Sequence, residues 1–226
     1  MLRAPGRMVD SGRSMPPTDY TRARRHLATV DPVLAAAIRQ IGPCGLAGRV
    51  GRPPFETLAR SIVSQQLSAR AATTIFGRVQ ALLPDGRVRP ADVLTLAETD
   101  LRSAGLSSRK IQYLRDLAQR VESGALRLDV LARRSDDEVV AALTQVKGIG
   151  QWTAEMFLIF RLRRPDVLPL DDQGLVGAVK ALYRMRTAPT PERLTRLAEP
   201  WRPYRSVACW YLWRWMDEMR NGSGKA

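Results

Sequence analysis

The sequence predicts an all-α fold of about ten short helices. Apolar residues recur at helical spacing along nearly the whole chain, caps and breakers punctuate that pattern, and no period-two stretch reads as a strand. The 226 residues suffice for one sizeable domain or two small lobes sharing a cleft. Short loops between so many helices favour an all-α globule, expected here as two lobes around a cleft.

Asp31 precedes Pro32 at a first helical position, and Val33, Leu34, Ile38 and Ile41 follow at helical spacing before Gly42. Pro53-Pro54 opens the next helix, with Phe55, Leu58, Ile62 and Val63 on one face. Ser68 can cap a helix running through Phe76 to Leu82-Leu83. A short helix spans Pro90 to Ala97, and another runs from Thr99 to near Gly105. Ser107-Ser108 precede a long helix bearing Ile111, Leu114, Leu117 and Val121. Ser135 and Glu138 form an S-x-x-E capping box ahead of Val139, Val140 and Leu143. A helix is expected from Trp152 to Leu162, two more after Asp171 and Pro191, and a Trp-rich one from about Tyr204 to Met219. Residues 1–17 read as a disordered basic leader, or as a misassigned start with Met15 nearer the true one; 18–220 read as the folded domain and 221–226 as a disordered tail. The leader lacks the apolar stretch of a secretory signal.

Lys and Arg total 36 against 22 Asp and Glu, a formal charge of +14. Such an excess points to a polyanion, DNA or RNA first, with a merely soluble basic protein as the alternative. The lysines are Lys110, Lys147, Lys180 and Lys225; every other cation is Arg, which suits phosphate forks. No run of about 18 apolar residues occurs, so no membrane span is expected, and the expected location is the cytoplasm, on the nucleoid in a bacterium. Cys44 and Cys209 stand in no paired spacing, which argues against zinc, an iron–sulfur cluster or a disulfide scaffold. His26, the only histidine, lies in an Arg-rich amphipathic stretch and reads as a surface or packing residue. Carboxylates remain the economical source of chemistry.

The most informative stretch runs from Leu143 to Ala154. One helix stops, Gly148 and Gly150 flank Ile149, and a new helix starts at once. Glycine supplies the backbone freedom of such a turn, and Ile149 anchors it. Amides at the start of the second helix carry partial positive charge that suits a phosphate, and Lys147 adds a cation. Lys147, Gly148, Gly150, Gln151 and Thr153 form the expected phosphate-facing set, a grip without base contacts and therefore independent of DNA sequence. An ordinary αα-hairpin with a glycine cap is the alternative.

Four segments together resemble the helix-hairpin-helix DNA glycosylase superfamily, in its 3-methyladenine-DNA glycosylase II branch. They are Phe55 to Ser68, Gly105 to Lys110, Val146 to Phe160, and Trp201 to Ser206. The resemblance spans about residues 20 to 217 and is to compact, helix-only members without the N-terminal β-rich lobe of larger relatives. It implies a monomer acting on double-stranded DNA with damaged bases and requiring no cofactor. It further implies a structural Na+ or K+ held by main-chain oxygens of Thr144, Val146 and Ile149.

Leu168 to Gln173 carries two carboxylates at a helix start, one able to cap the helix and one able to face the cleft. Residue chemistry alone leaves the choice open. The resemblance matches the catalytic aspartate to Asp172 and leaves the structural part to Asp171. A carboxylate there stabilises the oxocarbenium-like sugar formed as the base leaves and can orient the attacking water. N3- or N7-alkylated purines are already cationic and leave without protonation, so an aromatic pocket suits them. The resemblance places Trp152, Trp213 and Met156 in that pocket, where the Met156 position is usually aromatic. In relatives that also cut the backbone, a Schiff-base lysine stands where this chain has Trp152, which implies a monofunctional enzyme. Gln65-Gln66-Leu67 matches the loop that fills the gap left by a flipped base, with Gln66 or Leu67 as the plug and a plain interhelical turn as the alternative. Ser107, Arg109 and Lys110 are further expected phosphate contacts, while Ser108 is the residue expected to cap the helix. Two other readings stay open: a glycosylase for oxidised, deaminated or mismatched bases, and a non-catalytic helix-hairpin-helix DNA-binding module.

Overall fold

The computed structural model describes residues 20–47 and 52–222. The expected leader, and the end of the expected tail at 223–226, lie outside the described residues. Twelve α-helices and no strand occur among the described residues. In order they are α1 (Tyr20–Val30), α2 (Pro32–Ile41), α3 (Pro54–Ser64), α4 (Ala69–Ala81), α5 (Pro90–Thr95) and α6 (Glu98–Ser103). There follow α7 (Ser108–Glu122), α8 (Asp136–Leu143), α9 (Gln151–Met156), α10 (Gln173–Leu182), α11 (Pro191–Ala198) and α12 (Arg205–Gly222).

The expected caps explain where several helices begin. Asp31 accepts the Leu34 amide at 2.9 Å before Pro32 starts α2, and the Ser68 hydroxyl accepts the Ala71 amide before α4. Ser107, rather than Ser108, caps α7 by accepting the Lys110 amide. The Ser135–Glu138 box before α8 makes both of its reciprocal bonds. Each satisfies an amide that the first helical turn leaves without an intrahelical partner.

The helices form two compact units. One combines the chain up to Arg49 with Leu158 onward; the other is the continuous segment Val50–Phe157. In the discontinuous unit, α2 and α10 pack on α12, and α1 packs on α2. Leu27, Leu34, Leu175, Val179, Leu194, Trp201, Tyr211 and Leu212 form its core. His26 belongs to this packing: its ring meets Tyr204 edge-on at 5.4 Å, and Nε2 lies 3.1 Å from the Pro200 carbonyl. In the continuous unit, α7 is the central beam, with α3, α5 and α6 packed against it. Leu58, Ile62, Leu101, Ile111, Leu114 and Leu117 are fully buried there.

The helix expected from Trp152 to Leu162 departs from that reading. It is α-helical only to Met156 and widens into a π turn over Phe157–Arg161. Such a local widening is frequent beside functional sites. Phe157, Leu158 and Ile159 are buried while Phe160 is left half exposed.

Candidate active site and nucleic-acid interface

The turn between α8 and α9 is built as its glycines require. Val146 and Ile149 are buried and close it with amide–carbonyl bonds Val146→Leu143 and Ile149→Val146 of 3.1 and 3.0 Å. Gly148 has φ +81°, and a Cβ there would lie 2.1 Å from a ring carbon of Tyr113. The fold therefore demands glycine at Gly148 twice, through its backbone angle and through the close ring. Gly150 differs: its φ is −93°, and a Cβ would meet nothing within 4 Å. Space, rather than backbone conformation, distinguishes that position.

Lys147 is exposed, and its amide donates to Asp116 Oδ2 at 2.9 Å. Burial alone would raise the Asp116 carboxyl; the Lys147 amide and the Arg120 guanidinium outweigh it and hold the group below its ordinary value. Gln151 is exposed and donates to Glu155 at 3.0 Å, whereas Thr153 is buried.

Gln65, Gln66 and Leu67 form the connection from α3 to α4. Gln66 adopts φ +56°, a left-handed conformation disfavoured for a residue with a Cβ, and both Gln66 and Leu67 are exposed. Lys110 Nζ donates to the carbonyls of Val63 and Gln65 at 2.7 and 2.8 Å. That ammonium is engaged inside the protein, and burial draws its pKa below the ordinary value. Ser107 is occupied as a cap, while Arg109 is exposed.

In the discontinuous unit, Asp172 corrects the expected division of labour. Asp171 was expected to take the structural part, but it is exposed, and Asp172 is the N-cap of α10. The helix begins at Gln173, so the capping position falls one residue later than Asp171. Asp172 Oδ1 accepts the Leu175 amide at 2.5 Å and the Trp213 indole N–H at 2.9 Å, and the residue is 8% exposed. One carboxylate thus closes the helix and meets an expected pocket tryptophan. Gly174 permits the approach: a Cβ there would stand 3.1 Å from Asp172 Oδ1 and 3.6 Å from the Trp213 ring. Phe160 lies 5.7 Å from Trp213, ring centre to ring centre, and is 50% exposed.

In the continuous unit, Trp152 and Met156 sit four residues apart on one face of α9. Trp152 is 46% exposed, far from a core environment.

The loop leading to Asp172 is fastened by the Trp201–Ser206 segment. Asp166 accepts from Arg205 at 2.7 Å and from Arg202 at 2.8 Å, and the Ser206 hydroxyl accepts the Val167 amide at 2.9 Å. Sequence reasoning placed Gln65 in the gap-filling loop but not its bond to Gly148, and it did not find Tyr113, Asp116, Phe160, Asp166 or Gly174. Only Phe160, an aromatic late in an amphipathic helix, carried a local signal; the others act through distant partners. Among the described residues, no three His, Cys, Asp or Glu side chains gather as a metal site, and no helix is long and apolar enough to cross a membrane.

The helical fold, the two-glycine turn and the helix-capping carboxylate of Asp172 together define a class. The HhH-GPD superfamily base excision DNA repair protein model matches residues 59–203. The chain belongs to that superfamily. Within it, the chain falls in the all-helical, 3-methyladenine-DNA glycosylase II-like branch. It is 34% identical over 200 residues to DNA-3-methyladenine glycosylase 1 of Schizosaccharomyces pombe, covering 87% of this chain and 88% of that protein. It is 32% identical to the alkylbase DNA glycosidase-like protein mag2 of the same yeast, over 91% of this chain and 98% of the relative. Among solved structures, it is similar to the S. pombe 3-methyladenine DNA glycosylase in complex with abasic DNA, with TM-score 0.77, 34% identity and coverage of 85% and 95%. A Bacillus halodurans DNA-3-methyladenine glycosidase gives TM-score 0.74, 36% identity and coverage of 92% of each chain.

Proposed function

We propose that this protein is a monofunctional base-excision-repair glycosylase. It flips alkylated purines such as 3-methyladenine and 7-methylguanine out of duplex DNA, hydrolyses the base–sugar bond and leaves an abasic site. It works as a monomer, in the cytoplasm and on the nucleoid if the source is bacterial. The observation that carries the reading is the hydrogen bond between Asp172, the N-cap of α10, and the Trp213 indole of α12.

The chemistry follows from that pair. Loss of the base builds positive charge on the sugar, and a fixed carboxylate offers the opposite charge where it develops. The Leu175 amide and the Trp213 indole hold Asp172 in place, so little reorganisation is needed when the charge appears. An alkylated purine carries its own positive charge, so the leaving base needs no acid. The faces of Trp213 and Phe160 can attract it by cation–π contacts of about 0.5–2 kcal/mol. Trp152 cannot form a Schiff base, which leaves water as the nucleophile.

The continuous unit supplies DNA binding. The Gly148–Gly150 turn and Lys147 take backbone phosphate, and Gln66 or Leu67 fills the gap left by the flipped base. Main-chain oxygens of Thr144, Val146 and Ile149 would hold a Na+ or K+, adding positive charge beside the phosphate. The donor set suits such an ion: Thr144 ends α8, where carbonyls carry partial negative charge, and all three oxygens are neutral. Val146 O accepts from Ile149 and keeps a second lone pair.

Incubation of the protein with methylated DNA, followed by chromatography of released bases, tests the reading. Free 3-methyladenine and 7-methylguanine are expected; release confined to oxidised, deaminated or mismatched bases, or no release at all, would overturn it.

A further inference from the structure

We propose that Gln65 is a positioning residue that holds the gap-filling loop in register with the phosphate-binding turn, with Lys110 as its second anchor. This rests on the glycosylase reading and adds a mechanical link that base flipping requires.

Gln65 Nε2 donates to the Gly148 carbonyl at 2.6 Å, joining positions 83 residues apart. Its own carbonyl accepts the Lys110 ammonium. Gln65 is therefore held at both ends, immediately before Gln66 in its left-handed conformation. Such a backbone angle persists only where the surroundings enforce it. Lys110, Tyr113 and Asp116 recur every three residues along one side of α7. Lys110 grips the loop, the Tyr113 ring lies against Gly148, and Asp116 holds the Lys147 amide. One helix thus fixes the spacing between the loop and the turn, and the Gln65 amide ties them directly.

The functional consequence is geometric. A residue can fill the gap of a flipped nucleotide only if it enters the duplex at a fixed offset from the gripped phosphates. With the tie cut, the turn still binds DNA, but the loop no longer enters in register. The deficit then falls on flipping alone.

The test compares Gln65→Ala and Lys110→Met with the wild type on two substrates, a paired lesion and the same lesion in an unpaired bubble. On the paired lesion, kcat should fall about tenfold, the scale of one lost hydrogen bond. In the bubble, where no stack must be opened, both variants should match the wild type, and the Kd for undamaged duplex should not change. Equal losses on both substrates, or weakened binding to undamaged duplex, would overturn the proposal and leave the two residues a purely structural role. If Lys110→Met does not fold, Gln65→Ala decides the matter. Unstacking is also read by 2-aminopurine fluorescence in an Asp172→Asn background, which needs no base release. Absence of release by the wild type would refute the hydrolytic reading, while unchanged unstacking in Gln65→Ala would refute the tie.

Discussion

Adding one methyl group at Gly148 or at Gly150 should give opposite phenotypes. At Gly148 the new Cβ would stand 2.1–2.5 Å from three ring carbons of Tyr113. The left-handed φ costs about 1–2 kcal/mol for a residue with a Cβ, and overpacking adds about 1–3 kcal/mol. Gly148→Ala should therefore lose about 2–5 kcal/mol, a fall in Tm of roughly 4–20 °C for a chain of this size. At Gly150 the methyl meets nothing and φ is ordinary, so Gly150→Ala should leave stability unchanged or raise it by less than about 1 kcal/mol. It should instead fill the space where a phosphate approaches. Loss of a hydrogen bond to a charged acceptor, about 1.5–3 kcal/mol, corresponds to roughly 10–100-fold in Kd. Calorimetry and fluorescence anisotropy on an undamaged duplex measure the two quantities separately. Tyr113→Ala in the Gly148→Ala background should recover the overpacking part and not the backbone part. A Gly150→Ala protein that binds DNA like the wild type, or that loses as much stability as Gly148→Ala, would refute the division of labour between the two glycines.

Other predictions concern the carboxylates. Trp213→Phe keeps an aromatic ring and removes the N–H that holds Asp172, a bond of about 1.5–3 kcal/mol; single-turnover excision should slow tenfold or more while duplex binding is retained. Arg205→Ala removes one of two guanidinium partners of the buried Asp166; because Arg202 remains, denaturant unfolding should show a loss of about 2–3 kcal/mol rather than the full cost of an orphaned charge. The Asp116 carboxyl is held below its ordinary value, so its contribution is present above about pH 4 and is lost as pH falls through the depressed folded value. The stability gap between wild type and Asp116→Ala should accordingly stay constant from about pH 5 to 8 and close in stronger acid.

Features that depend on near neighbours were legible in the sequence. Asp31, Ser68 and the Ser135–Glu138 box cap their helices as expected, because a cap is a contact between residues three apart. The turn at Gly148–Gly150 was legible because two glycines between helices leave few alternatives. The choice between Asp171 and Asp172 was not, since two adjacent carboxylates offer the same local chemistry and only the helix start at Gln173 separates them. The contacts that give Asp172 and the loop their geometry span long stretches of chain: Trp213 to Asp172 over 41 residues, Lys147 to Asp116 over 31, and Gln65 to Gly148 over 83. No periodicity reports such pairings. Lys110 shows the reverse limit: it looked like a phosphate ligand, yet its ammonium is held by the carbonyls of Val63 and Gln65.

The central claim is that the negative charge of Asp172 drives base release. Asn at this position can still cap α10 and accept the Trp213 N–H, so Asp172→Asn removes charge with little change of shape. Release of 3-methyladenine from methylated duplex DNA by this variant, alongside its Kd for the same duplex, is the most direct measurement. The expected result is loss of excision by a factor of at least about a hundred, the scale of removing one charge-stabilising group, with Kd unchanged. Excision at the wild-type rate by Asp172→Asn would contradict the assignment.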